Sequence, residues 1–196
     1  MESLLLYSIL KSKGYKFFEN GLYNVNIIGI RKSNPHTNSF DDEIHLIYRD
    51  EVSIVHKIYE VTTDPGFYYL ENPMKVTGTA ILVPGQYRGA YKIAKHRNQY
   101  KALCQRKPVK IYRDRNKDLI LDKDPETISE GYFGINIHRS NANRESTQVD
   151  RWSAGCQVFA SPKAFDEFMS IIEKSSQLYG NGFTYTLLDE EDLELD

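Results

Sequence analysis

Apolar residues at Leu5, Leu6, Ile9 and Leu10 lie on one helical stripe within Glu2 to Ser12, and Gly14 stands just past its end. An N-terminal helix is expected there. Beyond it the period shortens to two. Tyr15 to Phe18 and Tyr23 to Ile30 read as strands around the turn pair Asn20-Gly21, followed by a polar loop from Arg31 to Phe40. Glu43 to Tyr48 and Val52 to Val61 are two more strands, and Thr63-Asp64-Pro65-Gly66 is a turn. Thr77 to Val83 reads as a strand ending at Pro84-Gly85, with Tyr87 to Ile93 returning antiparallel to it. Val109 to Tyr112 is expected to pair with Leu119 to Leu121 across Asp114 to Asp118.

The period changes once more near the end. Ser161-Pro162 is a helix start, with Ser as the cap and Pro in the first turn, and Phe165, Phe168, Met169 and Ile172 share one helical face. Phe183 to Leu188 forms a closing strand. The segment 189–196 carries six acids in eight residues and reads as a solvated, partly disordered tail. The sum is a mainly β chain, a sandwich or barrel with one helix before it and one late in the sequence.

Composition narrows the function classes. The chain has 196 residues, 40% hydrophobic and 27% charged, which suits one globular domain over 1–188. A net charge of −2 gives no basic face for nucleic acid. No stretch approaches the roughly 20 apolar residues of a membrane span, and Leu4-Leu5-Leu6 lacks the flanks of an export leader. Cys104 and Cys156 are too few for a disulfide framework, and a bridge between them would remove the one good nucleophile.

That nucleophile sits in the most informative stretch. Ile135 and Ile137 alternate with Asn136 and His138, as on a strand with its polar residues on one face. Eighteen positions after His138 comes Cys156, preceded by Ser153-Ala154-Gly155, small residues that let backbone N–H groups approach a developing oxyanion. A neighbouring imidazole can take the thiol proton if the two segments lie side by side. The competing reading is an inert buried cysteine beside a core histidine. Between them, Arg139 to Arg151 is almost wholly polar and is expected to line or cover a groove.

Phe133-Gly134-Ile135-Asn136-Ile137-His138 and Ser153-Ala154-Gly155-Cys156 resemble the signature of the L,D-transpeptidase catalytic domain, with close likeness over about 30 residues. The spelling also resembles phage and prophage proteins. The resemblance implies an L,D-transpeptidase-like β fold with an N-terminal extension (about 1–60) and a catalytic core (about 61–188). Gly78 to Ile93 stands where the family has a substrate-side hairpin. It implies that Cys156 attacks a peptidoglycan stem peptide, that His138 is its base, and that the Gly155 and Cys156 amides form the oxyanion hole. Ser153, Asn136, Arg139 and Trp152 are then substrate-binding candidates, and neither metal nor other cofactor is needed. An amine or water resolves the acyl-enzyme. Lacking a leader, such an enzyme would reach the wall in a phage particle or on lysis. The chain departs from the family at Arg139, Ala154 and Val158, where Gly or Ser, His or Lys, and Arg or Asn are usual. Those departures motivate a second expectation, a non-enzymatic virion or cell-wall-associated binding module on the same fold.

Other polar clusters read more plainly. Asp114, Asn116, Asp118, Asp122 and Asp124 space oxygens like half a calcium loop, without its central Gly or closing Glu, and a turn held by Asp and Asn side chains is the preferred reading. His36, His45 and His56 show no metal-ligand spacing. His96 and Tyr100 are expected on a surface loop.

Overall fold

Asn26–Arg31 (β1) is buried along all six residues, because the strand is covered on both faces. A computed structural model describes residues 2–34 and 38–194; His36 and the last two residues of the acidic tail lie outside them. Before β1 runs the expected helix Glu2–Ser12 (α1). After it come Asp42–Arg49 (β2), Ile54–Thr62 (β3), Phe67–Glu71 (α2) and Thr79–Leu82 (β4). Gly85–His96 (β5), Tyr100–Gln105 (β6), Val109–Asp114 (β7), Ser129–Gly131 (β8) and Ile137–Arg139 (β9) follow. Gln157–Phe159 (β10), Pro162–Tyr179 (α3) and Phe183–Asp189 (β11) complete the order.

Eight strands close a barrel in the order β1-β11-β5-β6-β9-β10-β3-β2, while β4, β7 and β8 form a separate three-stranded sheet. The β1–β11 and β9–β10 pairs are parallel and the other described ladders antiparallel. The described residues are thus mainly β, with three helices among them. Closure leaves the barrel without unpaired edges. β3 runs through residues 60 and 61, and β1 and β2 are barrel strands, so no structural boundary falls there.

Two apolar clusters hold the fold. One joins Ile27, Ile44, Leu46, Tyr185 and Leu187 of the barrel to Phe165, Phe168, Met169 and Ile172, the expected face of α3. Ser161 caps α3 by accepting from Ala164 N–H. The other lies between α1 (Leu6, Ile9, Leu10) and Ile28, Ile30 and Ile47. Each fully buried side chain of this kind is worth about 1.5–3 kcal/mol in transfer terms. Among these core residues sits a charge cluster. Arg31, 1% exposed, pairs with Asp64 at 2.9 Å and donates to Leu82 O and Thr63 O.

Several expected elements differ, each for a visible reason. Tyr15–Phe18 is extended but joins no ladder. Gln86 satisfies both backbone groups of Lys16, and Asn26 those of Phe18. β4 does not pair with β5; it pairs with β7, so Gly78–Ile93 forms no hairpin and divides between the two sheets. Leu119–Leu121 is not a strand, and β7 pairs instead with β8. Asp118 accepts from Ile120 N–H and Asp114 from Asp122 N–H, so carboxylates hold this turn. The described part of the acidic tail is ordered, its charges tied to Ser33, Lys32 and Lys13.

Candidate active site

The parallel register of β9 and β10 sets Gln157 beside Ile137 and Val158 beside His138. Alternation then sends Ile137 and Gln157 inward, where Tyr185 donates to Gln157 Oε1 at 2.8 Å. His138 and Cys156 fall on the opposite face. Gln157 N–H donates to Asn136 O at 2.9 Å, fixing Cys156 beside Asn136 at the mouth of the parallel pair.

Gln105 shapes the turn that meets the thiol. Its Oε1 accepts from the N–H groups of Phe133, Gly134 and Ile135, and its Nε2 donates to Lys107 O and Gly131 O. Gly134 takes φ +74° there. Its carbonyl accepts from Cys156 Sγ, and Sγ in turn accepts from Asn136 N–H, both at 3.4 Å. Burial pushes the thiol up to about 11, with the Asn136 amide opposing. Cys156 at rest is therefore a thiol. Cys104, also free, is raised by burial too.

His138 is 4% exposed, and burial together with His96 lowers it to about 3. Its Nδ1 lies 2.8 Å from Arg139 O. A carbonyl only accepts, so Nδ1 carries the proton and Nε2 keeps its lone pair. Among the described residues no hydrogen bond joins His138 to Cys156. The imidazole is neutral with its lone pair at Nε2, and strand alternation sets His138 and Cys156 on one face of the parallel pair.

A second histidine backs the first. The His96 ring stacks on His138 with centroids 4.2 Å apart and planes 21° from parallel. Asn136 Oδ1 accepts from Gln105 N–H, which turns Nδ2 toward His96 Nδ1 at 3.2 Å. His96 thus accepts at Nδ1 and is neutral as well, its pKa lowered by burial and by Arg97. Tyr100 donates to Arg139 O at 3.2 Å, reinforcing the acceptor that orients His138. His96 and Tyr100 do not lie on the expected surface loop. They end β5 and begin β6, across a tight turn in which Arg97 and Asn98 both have positive φ. An Asn between two alternating runs was the available signal.

The other expected site residues divide. Asn136 is bound to His96 and Gln105. Ser153 is fully buried, donating to Cys156 O and accepting from Gly155 N–H, so it holds the turn. The Gly155 amide is occupied by that bond, whereas the Cys156 amide has no acceptor among the described residues. Arg139 lies over the Tyr100 ring at 4.1 Å, 3.8 Å from Asp166. Trp152 is 40% exposed, on the loop with Arg144 and Glu145. Among the described residues no group of His, Cys, Asp and Glu is arranged to hold a metal, and no helix is long and apolar enough to cross a membrane.

No protein-family model matches this sequence, and no curated protein matches it either.

Proposed function

We propose that the chain is a cysteine-dependent acyltransferase of the L,D-transpeptidase type, acting on peptidoglycan stem peptides. The observation that carries this reading is the tautomer of His138. With Nδ1–H held by Arg139 O, Nε2 keeps a free lone pair on a side chain that strand alternation sets on the same face as Cys156. As sulfur attacks the donor carbonyl, the thiol proton passes to Nε2, so no thiolate need exist beforehand. The unengaged Cys156 N–H supplies one donor to the oxyanion. Collapse expels the leaving amine, which takes its proton from His138, and leaves a thioester on Cys156. An amine then gives a new cross-link, or water gives a trimmed stem.

The high resting pKa of the thiol favours a second reading, a non-enzymatic wall- or virion-associated binding module in which Cys156 is inert. Incubation with purified sacculi, followed by mass analysis of the products, separates the two. New cross-links or trimmed stems, lost in Cys156→Ala with the fold retained, are expected. Unchanged sacculi, together with labelling of Cys156 no faster than Cys104, would establish the binding module instead.

A further inference from the structure

Beside the thiol turn lies a cavity of about 110 Å³, lined by Tyr69, Lys75, Thr79, Arg113, Phe133 and Ala154 among others. Two of its walls belong to the segments that hold Cys156. Phe133 precedes Gly134, whose carbonyl accepts from Sγ, and Ala154 precedes Gly155. A third wall, Ala80, has its carbonyl 2.3 Å from where a Cβ on Gly155 would stand. The cavity therefore borders the two segments that hold the thiol.

Its charge is one-sided. Lys75 and Arg113 line it, and no lining residue is acidic. Among the described residues neither cation has a carboxylate within ion-pair distance. Arg113 is oriented all the same. Its Nη1 donates to Gly78 O at 3.0 Å, and its guanidinium sits 5.1 Å from the centre of the Phe133 ring. Burial and Arg115 lower its pKa, yet a guanidinium stays protonated at any working pH. A half-buried, pre-aimed guanidinium without a counter-ion is a ready partner for a planar anion. Around it, Met74, Val76 and Tyr132 expose large apolar surfaces, next in sequence to Lys75 and Phe133. An anionic group on a short aliphatic stem matches this cavity in size, charge and rim.

We infer that this cavity binds a carboxylate of the donor peptide and makes that carboxylate a specificity determinant, with Arg113 as its main partner and Lys75 as its second. The inference rests on the acyl-transfer reading above. It places the bound carboxylate beside β4 and β7, next to the Phe133 and Ala154 segments.

The test uses three synthetic stem peptides with the full chain: the free acid, the C-terminal amide and the side-chain amide. One amide is expected to lower kcat/KM by about tenfold, mainly through KM, the amide arm naming which carboxylate is read. In Arg113→Gln that penalty should shrink to within about twofold, and in Lys75→Gln it should fall part of the way. Melting curves identify folded variants, and the exposed Lys75 carries the test if Arg113→Gln does not fold. Equal turnover of all three peptides by the native chain would overturn the inference while leaving acyl transfer standing. So would an undiminished amide penalty in the folded variants. No turnover of any peptide, with no thioester mass on Cys156, would overturn acyl transfer and this inference with it.

Discussion

His96 stacks on His138 at 4.2 Å, and the hydrogen bond from Asn136 that fixes His96 comes from the residue whose N–H meets the Cys156 sulfur. Cys156 and the ring that backs His138, nucleophile and base of the proposed reaction, are thus held through one shared residue. His96→Phe keeps an aromatic face against His138 but loses the Asn136 bond; His96→Ala loses both. The Phe variant is expected to retain more activity, and the Ala variant to lose about tenfold or more, since misplacing a base costs orientation. The acid limb of the pH–rate profile should move up in His96→Ala, because water reaches His138 and one source of its low pKa is gone. An unmoved limb would leave His96 a packing residue only.

Gly155 is held at φ +113°, and a Cβ there would lie 2.3 Å from Ala80 O, a backbone atom that cannot step aside. Gly155→Ala should cost more than about 2 kcal/mol, from strain and clash together. Denaturant melts measure that loss, and thiol labelling should show Cys156 displaced in whatever folds.

Gln105 serves five backbone groups of the segments beside the thiol. Gln105→Leu leaves three N–H donors and two carbonyls without this partner, an expected loss of about 2 kcal/mol or more if even two stay dry. Gln105→Glu keeps the acceptor but sets carboxylate oxygen against Lys107 O and Gly131 O. Both variants should lose activity beyond their loss of stability, because the Gly134 carbonyl no longer has a fixed place.

Much of this was legible because period and punctuation agree locally. The stripe Leu5, Leu6, Ile9, Leu10 gives α1, Ser161-Pro162 gives the start of α3, and Ile135/Ile137 against Asn136/His138 gives the facing of β9. What was not legible is pairing between distant segments. Nothing in Tyr15–Phe18 says that Gln86 and Asn26 side chains will replace a ladder. Nor does the spacing around Pro84-Gly85 say that β4 leaves the barrel. At the site, sequence order gave the types and facing of Cys156 and His138. The roles of His96 and Gln105 come from packing across β5, β6 and β9, which a linear pattern does not encode.

Stability should depend on pH through His138 in a direction set by its depressed pKa. Its ordinary value is near 6.5, and in the folded chain it is about 3. Above 6.5 neither state holds the proton and nothing is lost. As pH falls below 6.5, the unfolded chain takes up a proton that the folded chain refuses, so stability drains away down to about pH 3. At pH 4 the accumulated loss is about 3 kcal/mol, from roughly 2.5 pH units at 1.36 kcal/mol each. Asp42 works against it. Burial and Asp64 raise it, so its contribution is full below its unfolded value of 3.8 and fades as pH rises through its raised folded value. The two overlap, and comparison of the native chain with His138→Gln isolates the first. Urea melts at pH 7 and pH 4 should show the variant losing about 3 kcal/mol less than the native chain on acidification. Equal losses would mean that His138 takes up its proton in the folded state, and the neutral base proposed for Cys156 would then fail at acid pH for want of a lone pair.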